Sequence, residues 1–201
     1  MRSRFLLPIC GLLFGYFAPV VSHAGVFEIG ASGTYRRSVI AADSFDESKS
    51  LTGSVSYYFT EASAIELSYT DGTSKREIVA NNPNSLVTKT VTNLTYRTLG
   101  LDFVFTLGPK EATLRPYLKA GVNYILEKRY FDQTYTAAGP QESTVTEDPA
   151  ALVPSGGAGL TLRLSQTLSL KFGIDAWTSR PLNSKPVTID YAGRAGISWL
   201  L

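Results

Sequence analysis

The stretch RAGISWLL, residues 194–201, decides how the chain is read. Gly193, Ala195, Ile197, Trp199 and Leu201 share one parity, while Arg194, Gly196 and Ser198 share the other. Side chains of a strand point alternately to opposite faces, so this order predicts a strand with one bulky apolar face and one small or polar face. Such a segment at a chain end frays unless a neighbour pairs with its edge. The candidate neighbour is the first strand, which would close the sheet on itself.

The same period of two recurs at 26–38, 51–59, 64–73, 94–107, 114–126, 153–164, 168–178 and 190–201, giving eight predicted strands and no helix. Short links, TEAS (60–63), GPKEAT (108–113) and SQT (165–167), alternate with long polar ones such as DGTSKREIVANNPNS (71–85) and DQTYTAAGPQESTVTEDP (132–149). That alternation predicts an all-β, eight-stranded antiparallel up-and-down transmembrane β-barrel with turns at one end and four long loops at the other.

The opening MRSRFLLPICGLLFGYFAPVVSHA carries two arginines, an apolar run and small residues at Ser22 and Ala24, the layout of a secretory signal cleaved after residue 24. Residues 25–201 are then the barrel domain. Without residues 1–24 the chain loses Cys10, its only cysteine, and His23, its only histidine; 17 Lys plus Arg then stand against 17 Asp plus Glu. Disulfides are excluded, and no basic surface recruits nucleic acid.

Residue size decides which face is inside. One parity carries Phe27, Ile29, Leu51, Val55, Leu67, Leu99, Leu101, Phe103, Leu118, Leu160, Phe172 and Trp199, all bulky and uncharged. The other carries Ser32, Thr52, Ser54, Ser68, Gly100, Gly121, Gly157, Gly159, Gly173, Gly196 and Ser198. A solvated sheet face favours long charged side chains, whereas the interior of an eight-stranded barrel is just wide enough for small ones. On that inner parity also lie Glu28, Glu66, Asp102 and Asp175 against Lys119, Arg163, Lys171 and Arg194, read as a balanced charge network plugging the lumen. Phe27, Phe59, Phe105 and Trp199 fall near the turn ends, and Tyr35, Tyr69, Tyr124 and Tyr191 near the loop ends, as two interfacial girdles.

In RAGISWLL, residues Arg194, Gly196, Trp199 and Leu201 resemble the C-terminal signal of bacterial outer-membrane barrels, with Leu201 where phenylalanine is most usual. LRPYLKAGVNY (114–124) is similar to the fifth strand of the OmpA, OmpX and OmpW group, with Pro116 and Tyr117 entering the membrane band and Gly121 facing inside. The resemblance implies an integral protein of the cell outer membrane with both termini periplasmic. Its partners would be outer-membrane lipid and lipopolysaccharide, and the assembly machinery that reads the terminal signal. OmpX-like members imply a closed barrel with functional loops; OmpW-like members imply a narrow channel for small hydrophobic molecules.

Barrel enzymes of the outer membrane resemble one another in using a histidine with serine or acidic partners, and here the only histidine lies in the signal. The usual base for activating serine or water near neutral pH is thus missing, so the protein reads as no enzyme and as holding no cofactor. Metal sites built from His and Cys are excluded with it. Carboxylates at Asp43, Asp46 and Glu47, or at Glu142 and Glu147, leave loop calcium binding open, but read more simply as solvated acidic loops. GGAGL (156–160) sits within an alternating strand with no helix after it, so its glycines are read as lumen residues and not as a nucleotide loop. The function expected is envelope integrity or surface interaction through the four loops.

Overall fold

A computed structural model describes residues 25–41, 44–79, 87–109, 111–135, 142–178 and 189–201. The signal-like segment 1–24 lies outside them. Eight strands follow one another: β1 (Val26–Ala41), β2 (Ser44–Tyr58), β3 (Ser63–Val79), β4 (Val87–Thr106), β5 (Leu114–Tyr135), β6 (Glu142–Arg163), β7 (Leu168–Thr178) and β8 (Ile189–Leu200). Each pairs antiparallel with the next and β8 returns to β1, so the sheet is a closed up-and-down barrel. No helix occurs among the described residues.

The turn end is built by side chains that replace missing backbone partners. Thr60 Oγ1 accepts from the amides of Ala62 and Ser63, at 3.2 and 2.9 Å. Ser165 Oγ does the same for Thr167 and Leu168, at 3.3 and 3.0 Å. Both are the local hydroxyl turns that favour Ser and Thr here. Gly108, between β4 and β5, has φ of 86°, a left-handed conformation that L side chains resist.

At the other end the structure corrects the loop lengths. β2 begins at Ser44 and not at 51, β3 continues to Val79, β4 begins at Val87, β5 runs to Tyr135 and β6 begins at Glu142. The polar stretches 71–85 and 132–149 are therefore largely strand. A transmembrane strand needs about 9–11 residues, and β5 and β6 have 22 each. They cross the apolar band and keep pairing beyond it, where neither face must be greasy and the alternation fades. β7 and β8, with 11 and 12 residues, stay short.

This asymmetry leaves a notch. β1 pairs with β8 only from Glu28↔Leu200 to Gly33↔Ala195, although β1 continues to Ala41 and β8 starts at Ile189. Beyond Gly33 the two strands part.

The barrel is inside out relative to a water-soluble one. Phe103, Phe172 and Trp199 are 48%, 47% and 56% exposed on the outside, whereas Glu28, Glu66 and Asp102 are buried within. Phe27 stacks obliquely on Tyr57 at 5.1 Å, and Phe59 on Phe103 at 6.0 Å, on the outer face. Tyr35, Tyr69, Tyr124 and Tyr191 are all exposed at the opposite side of the apolar band. Water does not tolerate a continuous apolar belt of this extent, and hydrocarbon does. No helix among the described residues is long and apolar enough to cross a membrane; the strands are what crosses.

Candidate functional site

The lumen concentrates the chemistry of the chain. In its turn-side half, Lys119 on β5 sits between Asp102 on β4 and Asp175 on β7, with Nζ to oxygen distances of 3.4 and 3.1 Å. Arg194 on β8 meets the other oxygen of Asp175 at 3.3 Å. Ser155 donates to Asp102 at 3.1 Å. These contacts join five strands into one connected group.

A second group lies beside it. Lys171 on β7 reaches over β8 to form an ion pair with Glu28 on β1. It can do so because its partner on β8 is Gly196, followed by Ser198 on the same face. A Cβ at Gly196 would itself run into the Ala31 carbonyl and Ser32, so both neighbours demand glycine there. Tyr58 donates to Glu28 at 3.4 Å, and Ser56 to Glu66 at 3.0 Å. Glu66 lies in the field of Lys171, Lys119 and Arg194 and leaves Oε1 without a hydrogen-bond partner.

Of the predicted lumen charges, Glu28, Asp102, Lys119, Lys171, Asp175 and Arg194 are thus joined in ion pairs, and Glu66 stands among them. Arg163 does not join: half-buried at the turn end of β6, it makes no ion pair among the described residues. Three acids and three bases are paired, in two neighbouring groups, with Glu66 beside them in no ion pair among the described residues, so the balance is not four of each.

Apolar filling of the lumen is not evident from the sequence pattern. Ala64, Val104 and Tyr117 form a small buried cluster with Tyr58 packed against it. Tyr117 belongs to the lumen and is only 5% exposed. Its ring lies over Gly159 and Gly173, where any Cβ would collide with it. Tyr96 covers Gly72 in the same manner. Glycines facing each other across strand pairs, as Gly159 and Gly173 do, are the sequence signal that a ring is laid over them.

Above this plug the lumen widens into a vestibule of about 510 Å³ facing the long-hairpin end. Its floor is the Asp102, Lys119, Asp175 and Arg194 group. Thr34, Ser48, Ser50, Thr52, Ser68, Thr70 and Ser74 form one wall, on β1 to β3. Leu94, Tyr96, Ile125, Phe131 and Trp177 form the other, on β4, β5 and β7. At the rim Asp46 accepts from Arg76 at 2.8 Å and from Ser74 at 3.2 Å, with Arg36 at 3.8 Å. Arg129 meets Glu127 at 3.0 Å.

Asp46 is consequently held by arginines. Asp43 and the side chains of Glu142 and Glu147 lie outside the described residues, and no cluster suited to a metal occurs within them. Outside the barrel wall, above the membrane band, Glu77 on β3 bonds Lys89 at 2.6 Å and Lys75 at 3.4 Å, which holds its carboxyl below the usual range. Lys49 is held above its ordinary value by Glu47 at 2.7 Å.

Of the terminal residues, Trp199 and Leu201 face outward, and the Leu201 amide donates to the Phe27 carbonyl at 2.8 Å, sealing β8 on β1. Arg194 and Gly196 face the lumen.

A closed antiparallel wall, an apolar belt outside and buried ion pairs inside together define a transmembrane β-barrel. The fold is that of small eight-stranded outer-membrane barrels. Neisserial surface protein A matches at 13% identity over 87% of this chain and 96% of its own, with a TM-score of 0.54. Ail of Yersinia pestis, crystallised with the heparin analogue sucrose octasulfate, matches at 14% identity over 89% and 99%, with a TM-score of 0.50. The N-terminal barrel domain of Pseudomonas aeruginosa OprF matches at 20% identity over 88% and 99%, with a TM-score of 0.49. No protein-family model and no curated protein sequence matches the chain.

Proposed function

We propose that the protein is a non-enzymatic, non-conducting barrel of the outer membrane that serves envelope integrity or surface interaction through its long hairpins. The observation that carries this reading is the plug. The ion pairs of Lys171 with Glu28, of Lys119 with Asp102 and Asp175, and of Arg194 with Asp175, with Tyr58 and Tyr117, occupy the turn-side half of the lumen and leave a vestibule on the hairpin side. Even strand number places both strand ends, Val26 and Leu200, at the turn end, which in such barrels is periplasmic. The β1–β2, β3–β4 and β5–β6 hairpins then stand outside, against lipopolysaccharide and other surface partners. Trp199 and Leu201, on the outer face of the closing strand, suit presentation to the assembly machinery. The absence of histidine from residues 25–201 supports a role without general-base chemistry. Reconstitution into planar bilayers tests the reading: silence at applied voltage is expected, and discrete conductance steps refute the plug.

A second reading has one observation in its favour. Where β1 and β8 part beyond Gly33, an outer groove lined by Phe172, Ile174, Gly193 and Ala195 shares Thr34, Ser50 and Arg194 with the vestibule. Small hydrophobic molecules entering from outside would leave sideways into the bilayer without passing the plug. Uptake of an alkane into cells, raised by the protein and abolished by cross-linking the notch, distinguishes this path.

A further inference from the structure

We propose that the vestibule is a binding site for a neutral saccharide of about two rings, held in the lumen from the outside. The inference rests on the reading above that the vestibule faces outward.

Charge comes first. Every cation at the floor or rim already has a carboxylate: Lys119 and Arg194 at the floor, Arg36, Arg76 and Arg129 at the rim. A strongly anionic or cationic ligand would have to break those pairs while gaining nothing of opposite sign, so the site selects for neutrality. The walls specify the rest. Ser50, Ser68 and Thr98 line the cavity and make no side-chain hydrogen bond among the described residues, so each has a donor and an acceptor to give. Trp177, on β7, presents ring surface from the far side, and the Tyr96 ring lies over Gly72, which pairs with Ser50, beside these hydroxyls. A pyranose ring has the matching duality, hydroxyls around its edge and C–H groups on its face. A purely apolar ligand would bury the hydroxyl wall unpaired, which is costly. The volume, about 510 Å³, falls within the range of small-molecule sites.

The chain supplies its own reporter. It has two tryptophans, Trp177 in the vestibule and Trp199 on the outer face. In Trp199→Phe, purified in dodecyl-dimethylamine oxide because that detergent carries no sugar, Trp177 emission is followed during titration with maltose, lactose and diacetylchitobiose. A saturable change with at least one of these is expected, weakened about tenfold or more in Tyr96→Ala and in Ser50→Ala/Thr98→Ala. No saturable change up to about 0.1 M sugar, well above millimolar affinity, overturns the proposal. So does a response to decanol that no disaccharide displaces. Should Trp199→Phe not fold, saturation-transfer NMR on the sugar protons with the wild-type barrel detects the same binding, and no transfer to any of the three sugars overturns the proposal equally. Bilayer conductance separates the failures: a silent barrel that binds no sugar refutes only the site, whereas a conducting one refutes the plug beneath it.

Discussion

Replacing Lys119 with methionine is the sharpest test of how the lumen is held together. Methionine keeps much of the stem and deletes the ammonium. Asp175 would retain Arg194 at 3.3 Å, but Asp102, only 3% exposed, would be left with a single hydroxyl from Ser155 at 3.1 Å. Breaking a buried pair from one side costs about 3–5 kcal/mol, because the surviving charge stays desolvated and uncompensated. Most of that penalty belongs to the orphan and not to the lost attraction. Hence Asp102→Asn in the same chain, which keeps the Ser155 contact and removes the charge, should return all but about 1–2 kcal/mol, the neutral pair being close to break-even. Reversible urea unfolding in lipid vesicles, followed by barrel migration on unboiled gels and by tryptophan emission, measures both. A Lys119→Met barrel within about 0.5 kcal/mol of wild type, the scatter of ordinary surface changes, would refute a buried, charge-paired floor. A double variant no better than the single would show that the cost lies in packing.

Three further outcomes follow from the same geometry. Gly173→Ala should destabilise by about 1–3 kcal/mol through overpacking, since its Cβ would strike the Tyr117 hydroxyl and lie 3.1 Å from the Ala158 carbonyl; adding Tyr117→Phe should restore part of this in the same unfolding assay. The Glu77 carboxyl, held low by Lys89 and Lys75, favours the folded state above the unfolded pKa and loses that contribution as pH falls through the lower folded value. Carbon-detected NMR should show this depressed titration, and Lys89→Met should return it toward the normal carboxylate value; an unchanged curve would deny the contact. In single-tryptophan variants, brominated lipid should quench Trp199 and not Trp177, while aqueous acrylamide should favour Trp177, and the opposite pattern would reverse the two faces.

Strands whose two sides meet different media are legible in the sequence, and their ends are legible only where that difference persists. Residues 168–178 can be read directly because β7 is apolar and polar by turns from Leu168 to Asp175, most of its length. The alternation stops short of the true ends of β5 and β6 because past the tyrosine girdle apolar and polar residues occur on both faces, and backbone pairing leaves no mark on composition. Within the lumen, parity reveals the identity of the charged residues but not their partners. Lys119 meets Asp175 two strands away, and Lys171 meets Glu28 across β8, distances set by strand stagger and by the small residues between. The long β1 edge beside the short strands β7 and β8, and hence the notch, depends likewise on three strand lengths at once.

The division of the lumen into plug and vestibule follows from where bulk is placed along the inner faces. Toward the turns, Tyr58, Tyr117, Lys119, Lys171 and Arg194 send long side chains across the axis, and the glycines at 159, 173 and 196 make room for them. Toward the hairpins the inner positions of β1 to β3 are nearly all Ser and Thr, too short to reach the opposite wall. An eight-stranded barrel has no spare width, so the same wall closes where the side chains are long and opens where they are short. The floor therefore serves both ends at once: the ion pairs that block passage also consume the charge a vestibule ligand would otherwise meet. Loosening the plug would then alter not only closure but the polarity of the site above it.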